Sequence, residues 1–446
     1  MKGIKDRKKL GAYLDGAANT PLDKRVFKAM KPFLPGFCGN SNSVHRYGQV
    51  ADQAVNSARS NVAKIIGCEA EEVLFTSGAT EANNWVIKGL ALNELQKPEK
   101  KRRKRIICLS YEHSSVIGPC EDLKKLGFEV EYVGSEKDKN LLAAFKSAMF
   151  RKQDTPLIVC CMAVNNETGE ILPAESVAKF ALQMYGSPTL VDCTQALSEG
   201  GKRAVRLKER FPHATYMTFS GHKIYGPTGI GCLIANRRLA EKTSSKLSPL
   251  IHGGAQEFGL RGGTTNTASV VGLSEALTAM AERSHRDRFA ELQLSLRWKL
   301  QSLNKWARSR IAGGSKADPK DGIFLNLVGG VPYIASVNCG DFLDLPNLAD
   351  AMASRGVAVS SGSACSVGGE GTEESHVLKA MGVDSRGIRN TVRVSFTKYT
   401  EKKDIDAFIR CLYSIMEAEL SPRESRQARN RPEKKTKKRA KRRKGE

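Results

Sequence analysis

Five short apolar runs along this chain each end abruptly in a polar cluster, and that repeat restricts the fold more than any other feature. Val73-Leu74-Phe75 runs into Thr76-Ser77-Gly78-Ala79-Thr80-Glu81, and Ile106-Ile107-Cys108-Leu109 runs into Tyr111-Glu112-His113. Leu157 to Met162 precedes Val164-Asn165-Asn166-Glu167-Thr168-Gly169, and Thr189-Leu190-Val191 precedes Asp192-Cys193-Thr194-Gln195. The fifth run, Tyr216 to Phe219, leads into Ser220-Gly221-His222-Lys223-Ile224-Tyr225-Gly226-Pro227. Continuously apolar runs alternating with helical segments read as strands covered on both faces. The expected fold class is therefore α/β, with a mainly parallel sheet flanked by helices. In such sheets ligands bind beyond the carboxyl ends of the strands. All five polar clusters lie at that end, so they are expected to converge on one site.

The residue types suit one cofactor. A lysine behind an apolar strand end, flanked by small hydroxyl and imidazole side chains, is poorly explained as a solvated charge. Desolvation frees its amine to form a Schiff base with an aldehyde, and the obvious aldehyde is pyridoxal 5'-phosphate (PLP). PLP needs a buried carboxylate to keep its pyridine nitrogen protonated, and Asp192 is the candidate. The plainer role for Asp192 is a helix N-cap. His113 is placed to stack on the ring and relay protons, although a lone histidine is usually structural. Gln195 and Asn166 can hydrogen-bond the ring oxygen. Gly78-Ala79-Thr80 opens a helix whose backbone N–H groups and positive dipole end suit a phosphate, with Thr80, Ser220 and His222 as further donors.

These segments closely resemble the NifS/IscS type of cysteine desulfurase, in the class V aminotransferase branch of fold-type I PLP enzymes. The resemblance runs from about Tyr13 to about Phe408. Besides the segments above it takes in Tyr-Leu-Asp at 13–15, His-Gly-Gly at 252–254, Arg261-Gly262-Gly263-Thr264 and Ser361-Gly362-Ser363-Ala364-Cys365. It implies that Lys223 holds PLP as a Schiff base and later shuttles the substrate proton. It also implies that Asp192 pairs with the pyridine nitrogen, that His113 stacks, and that Gln195 and Asn166 hold the ring oxygen. Ala79, Thr80, Ser220 and His222 would form the phosphate end. Thr264 would reach the phosphate from a neighbouring subunit, which implies a homodimer. Arg393, in Val392-Arg393-Val394-Ser395, matches the arginine that grips the substrate carboxylate, a pairing that guanidinium geometry favours. Arg389 nearby is the alternative.

Cys365 decides the reaction that the resemblance implies. Most of the eleven cysteines, such as Cys108, Cys160, Cys161 and Cys232, stand in apolar settings and read as small buried hydrophobes. Cys365 instead lies in a run rich in glycine and serine, from Ser360 to Gly371, that suits neither helix nor strand. Its thiolate would attack the sulfur of PLP-bound L-cysteine, releasing alanine and leaving a persulfide for an acceptor such as an iron–sulfur scaffold or a tRNA-thiolation protein. Three positions depart from the family pattern: Asn19 for threonine, Ser41 for proline and Ala163 for histidine. The spacing from Cys365 to Ser375 is slightly long, a trait shared with selenocysteine lyases, so selenocysteine stays open as substrate.

A chain of 446 residues suggests two domains. Residues 20–265 are expected to form the large PLP-binding domain. Residues 11–19 and 266–418 would form a smaller α+β domain carrying Cys365 and Arg393, with 419–446 a disordered basic tail. One amphipathic segment, Val270 to Trp306, would link the domains. The net charge of +24 is concentrated in residues 1–10 (+4), 97–105 (+6) and 421–446 (+10), so these runs read as appendages on a near-neutral body.

The tail cluster Lys434 to Lys444 admits nuclear import, weak nucleic-acid attraction or mere solvation. No aromatic residue interleaves it, which argues against base stacking. No secretory, transit or membrane-spanning pattern is evident, so the expected location is nucleus or cytoplasm rather than mitochondrion. The cysteine spacing predicts no metal site. A non-catalytic nucleic-acid adaptor that keeps the fold is the third reading, and the full set of site residues argues against it.

Overall fold

The computed structural model describes residues 10–138, 140–152, 154–311, 322–340, 343, 345–361 and 374–420. Cys365 and the basic tail from 421 lie outside them. Twelve strands are described. In chain order they are β1 (Ala12–Tyr13), β2 (Val73–Thr76), β3 (Arg105–Leu109), β4 (Glu129–Val133), β5 (Ile158–Cys160), β6 (Thr189–Asp192), β7 (Tyr216–Ser220), β8 (Gly231–Ala235), β9 (Phe324–Leu325), β10 (Ile334–Asn338), β11 (Val357–Ala358) and β12 (Thr391–Ser395).

Seven of them form the central sheet, in the order β2-β8-β7-β6-β5-β3-β4. Neighbours from β7 through β6, β5 and β3 to β4 pair in parallel, whereas β8 is antiparallel to both β7 and β2. Every residue of β2, β3, β5, β6 and β7 is buried, which is why those segments are apolar without alternation. The edge strand β4, Glu-Val-Glu-Tyr-Val, carries charges that discourage further pairing.

Two small sheets lie on the other side of the strand ends. One pairs β1 with β11, and the other has the order β12-β10-β9. Single bridges from Asp15 to Ser395 and from Ser360 to Arg393 stitch them together. Residues 15–18 and the residues near 395 therefore meet beside the strand ends. No described helix is long and apolar enough to cross a membrane.

Two expectations are corrected. Val270 to Trp306 is not one segment, because helices Thr267–Glu282 and Arg286–Ile311 are separated by an extended Arg283. The break is held by backbone bonds, His285 N–H donating to Glu199 O at 2.7 Å and Gly201 N–H to Met280 O at 2.7 Å. Nor is the basic run 97–105 an appendage. Arg105 is 2% exposed within β3, where the Asp154 carboxylate forms an ion pair with it at 2.9 Å and the carbonyls of Ala148 and Asp154 accept from its guanidinium at 3.0 and 2.8 Å. Arg103 bonds Glu94 and the carbonyls of Thr243 and Ser244, and Arg102 bonds those of Lys97 and Leu95. Acceptors within the folded chain, not solvent alone, explain the charge at these positions.

Candidate active site

The carboxyl ends of the central strands enclose a cavity of ≈ 230 Å³. Ala79, Thr80, His113, Asn166, Asp192, Gln195, Ser220, His222, Lys223 and Arg393 all line it. Thr264 does not. It lines a separate cavity of ≈ 160 Å³ with Arg261 and Glu257. Arg389 is exposed at the end of the helix Ser385–Arg389, whereas Arg393 is 3% exposed, so the two arginines are separated by position.

Lys223 ends a short 3₁₀ turn, Gly221–Lys223, that follows directly on β7. Its Nζ donates to the carbonyls of Ala17 at 2.6 Å and Ala18 at 2.8 Å. Gln195 Nε2 donates to the same Ala17 carbonyl at 3.0 Å. The turn after β1 thus closes over the lysine, a role that sequence reading had not given it.

Asp192 terminates β6 and is 6% exposed. Thr194 N–H donates to its Oδ1 at 2.8 Å and Asn83 Nδ2 to its Oδ2 at 2.9 Å. Two donors orient the carboxylate and still leave it lone pairs for a ring N–H. His113 caps the helix Ser114–Lys124, its Nδ1 accepting from Ser115 N–H at 3.1 Å. Beside it, Glu112 is buried, and desolvation reinforced by the Asp192 charge pushes its carboxyl well above the usual range.

The opposite end of the cavity fits a phosphate. The helix Ala79–Leu95 begins there, and Ala79 N–H donates to Ser220 Oγ at 2.8 Å. Gly231 on β8 lets this turn approach, since a Cβ on Gly231 would sit 2.6 Å from Gly78 Cα. Burial, then the Lys223 charge, pushes His222 down to about 4.

At the third side, Arg393 NH2 donates to Asp15 Oδ1 and NH1 to the Asn166 carbonyl, both at 2.8 Å. A guanidinium has five N–H groups, so these two bonds fix its plane and leave donors for a carboxylate. The Arg393 backbone also exchanges hydrogen bonds with Ser360, its N–H donating to Ser360 O at 2.7 Å. Beyond the segment that holds Cys365, Ser375 Oγ donates to Glu167 and His376 Nε2 lies 2.9 Å from the Glu112 carbonyl. Both flanks of that segment therefore bond to a lining residue or to the chain neighbours of lining residues.

Sequence reading missed Asp15, Asn83, Ser115 and Ser375. Asn83 had a signal, being a polar residue on the mostly apolar buried face of its helix. Of the departures from the family pattern, Asn19 is exposed and Ala163 is buried, its N–H donating to the Asp192 carbonyl at 2.9 Å. Neither lines the cavity.

The family model for class-V aminotransferases matches residues 12–408. A cysteine desulfurase IscS of Dictyoglomus turgidum is 34% identical over 408 residues, covering 91% of this chain and 94% of the relative. This chain belongs to the cysteine desulfurase family of class-V aminotransferases. A mitochondrial cysteine desulfurase of Arabidopsis thaliana is 34% identical over 427 residues, covering 95% of this chain and 86% of that protein. Among solved structures, a NifS-like protein has a TM-score of 0.74 at 29% identity, covering 91% of this chain and 99% of its own. The fold is that of fold-type I PLP enzymes, and the family depends on PLP. The cavity's charge pattern fits that group, with a buried carboxylate at one end and a helix start with hydroxyl donors at the other.

Proposed function

We propose that this protein converts L-cysteine to L-alanine and leaves the sulfur as a persulfide on Cys365. The observation that carries this is the meeting of Lys223, Asp192 and Arg393 around one cavity, with Ser360 bonded to Arg393. PLP, when bound, supplies an electron sink that weakens bonds at the substrate's α- and β-carbons. Asp192 would pair with the ring nitrogen, His113 would stack on the ring, and Gln195 with Asn166 would hold the ring oxygen. Ala79, Thr80, Ser220 and His222 would hold the phosphate. Arg393 holds the substrate carboxylate, and the Lys223 amine is placed to take and return the α-proton.

The Cys365 thiolate attacks the substrate sulfur. A sulfur–sulfur bond forms, the carbon–sulfur bond breaks, and its electron pair stays with the carbon that takes a proton to become alanine's methyl group. Five chain steps separate Cys365 from Ser360, a reach of at most about 18 Å.

Several finer readings go with this. Thr264, in its separate cavity, would complete the phosphate site of a second subunit, giving a homodimer that sedimentation would detect. Residues 20–265 would carry the cofactor and 11–19 with 266–418 the substrate-side domain. The relatives' names favour cysteine over selenocysteine, as does a solved structure titled SspA in complex with cysteine, at 27% identity and a TM-score of 0.67. The acceptor is a sulfur-carrying protein such as an iron–sulfur scaffold. The tail cluster Lys434 to Lys444 favours nucleus or cytoplasm and allows weak nucleic-acid contact, although one relative is named mitochondrial. Deleting 421–446 should abolish nuclear accumulation, and an unchanged distribution would remove that claim.

The decisive experiment compares three proteins reconstituted with PLP. Wild type should turn yellow and release sulfide from L-cysteine in the presence of a thiol. Lys223→Ala should not retain the cofactor after gel filtration. Cys365→Ser should keep the colour and lose sulfide release. A colourless wild type, or full activity in Cys365→Ser, would overturn the proposal.

A further inference from the structure

Asn83 is fully buried on the helix Ala79–Leu95, and its bond to Asp192 is only one of the contacts its side chain makes. Its one amide touches three elements of the site. Nδ2 donates to Asp192 Oδ2 at 2.9 Å and to Ser115 Oγ at 2.9 Å, while Oδ1 accepts from Thr218 Oγ1 at 2.6 Å. Thr218 lies on β7, Asp192 on β6, and Ser115 in the first turn of the helix that His113 caps.

The direction of every bond in this set follows from chemistry. A carboxylate only accepts, so the NH₂ side of Asn83 must face Asp192 and its carbonyl must face Thr218. The Thr218 hydroxyl therefore donates. The second N–H of Asn83 goes to Ser115 Oγ, which leaves the Ser115 hydroxyl hydrogen for His113 Nδ1 at 2.8 Å. The Ser115 backbone N–H points at the same nitrogen. In neutral His113 the ring proton thus resides on Nε2, with Nδ1 anchored twice.

We infer that Asn83 is a positioning residue that aligns the Asp192 carboxylate and, through Ser115, the His113 ring. One side chain thereby ties the group facing the pyridine nitrogen to the group facing the ring plane. The inference rests on the Lys223 cavity being the PLP site. It explains why a fully satisfied amide is buried at this point, where an unpaired one would be costly.

Two readouts test it, neither of them turnover. The first is the dissociation constant of PLP. Losing a hydrogen bond to a charged group should raise it about tenfold in Asn83→Ala. Ser115→Ala leaves the Asn83–Asp192 bond intact and should stay within about twofold of wild type. The second is the ¹⁵N signal of His113 Nδ1 in apoprotein labelled at histidine, assigned with His113→Gln. Asn83→Ala and Ser115→Ala should both move it in the direction of a lost hydrogen bond.

Thr218→Val, close to isosteric, removes only the donor that fixes the amide's direction and should move both readouts part of the way. It decides the matter should Asn83→Ala fail to fold. Wild-type PLP affinity together with an unmoved His113 signal in Asn83→Ala or in Thr218→Val would overturn the inference. A wild type that takes up no PLP would instead overturn the cavity's assignment, and the apoprotein ¹⁵N signals would still decide the role of Asn83.

Discussion

Arg393 NH2 and Asp15 Oδ1 lie 2.8 Å apart, joining β12 to the residues that follow β1 across 378 positions of chain. With the Asn166 carbonyl on NH1, this pair holds two corners of the guanidinium while the arginine faces the cavity. Two opposing effects come from Asp15. It orients the fork, and its charge competes with a substrate carboxylate.

Orientation should dominate, because a misaligned fork loses a bidentate contact. Asp15→Ala is expected to raise KM for L-cysteine about tenfold with a smaller change in kcat. Asp15→Asn keeps an acceptor and should fall between. A KM that drops in Asp15→Ala would show that Asp15 acts mainly as a competitor.

Gly231 permits the phosphate turn to seat against β8. A methyl there would lie 2.6 Å from Gly78 Cα and 2.6 Å from the Phe219 carbonyl, closer than such contacts allow. Both obstacles are backbone, so the turn itself must move. Gly231→Ala should cost about 1–3 kcal/mol of stability and weaken PLP retention. Circular dichroism and gel filtration of the loaded protein check the two effects separately, and wild-type retention would show that the turn does not need this approach.

The strand-end clusters were legible because a doubly covered sheet demands continuous apolar runs, which makes each polar interruption conspicuous. Lys223, Asp192 and His113 could therefore be found one by one. What those runs concealed was period-two alternation. Tyr216, Thr218 and Ser220 share one face of β7, yet Thr218 reads as filler between Met217 and Phe219. Charge density misled at 97–105, since the acceptors that bury Arg105 come from Ala148 and Asp154, distant in sequence. The break at Arg283 carries no glycine or proline, and backbone bonds to residues 199 and 201 impose it. Asp15 and Arg393 stand at opposite ends of the chain, so only the folded arrangement pairs them.

Two histidines predict how stability responds to acid. Burial, then neighbouring positive charge, pushes His222 and His285 down to about 4 from an ordinary 6.5. Between those values the unfolded chain binds more protons than the native one, so stability rises with pH. Their contribution is complete above pH 6.5, declines as pH falls, and is gone below about 4. Urea midpoints of the apoprotein should therefore fall from pH 7 to pH 4. His285→Gln, which removes one of the two groups, should flatten that decline. An equally steep decline in the variant would show that His285 does not drive it.

The buried pair of Arg59 and Glu257 gives the largest expected stability effect. Its side chains are 9% and 4% exposed, and the contact is bidentate, at 2.8 and 2.7 Å. Glu257 also accepts from Phe75 N–H at 2.9 Å, so the carboxylate braces β2 just before the phosphate turn. The ring centroids of Phe75 and Phe258 lie 4.7 and 5.1 Å from the guanidinium carbon. Residues 257 and 258 both adopt positive φ, a strain that the ion pair compensates. Glu257→Ala strands a buried cation and should cost about 3–5 kcal/mol, whereas Phe258→Ala removes one half-exposed ring and should cost about 0.5–1 kcal/mol. Urea unfolding followed by fluorescence measures both. A Glu257→Ala protein as stable as Phe258→Ala would mean that Arg59 finds another partner or reaches water.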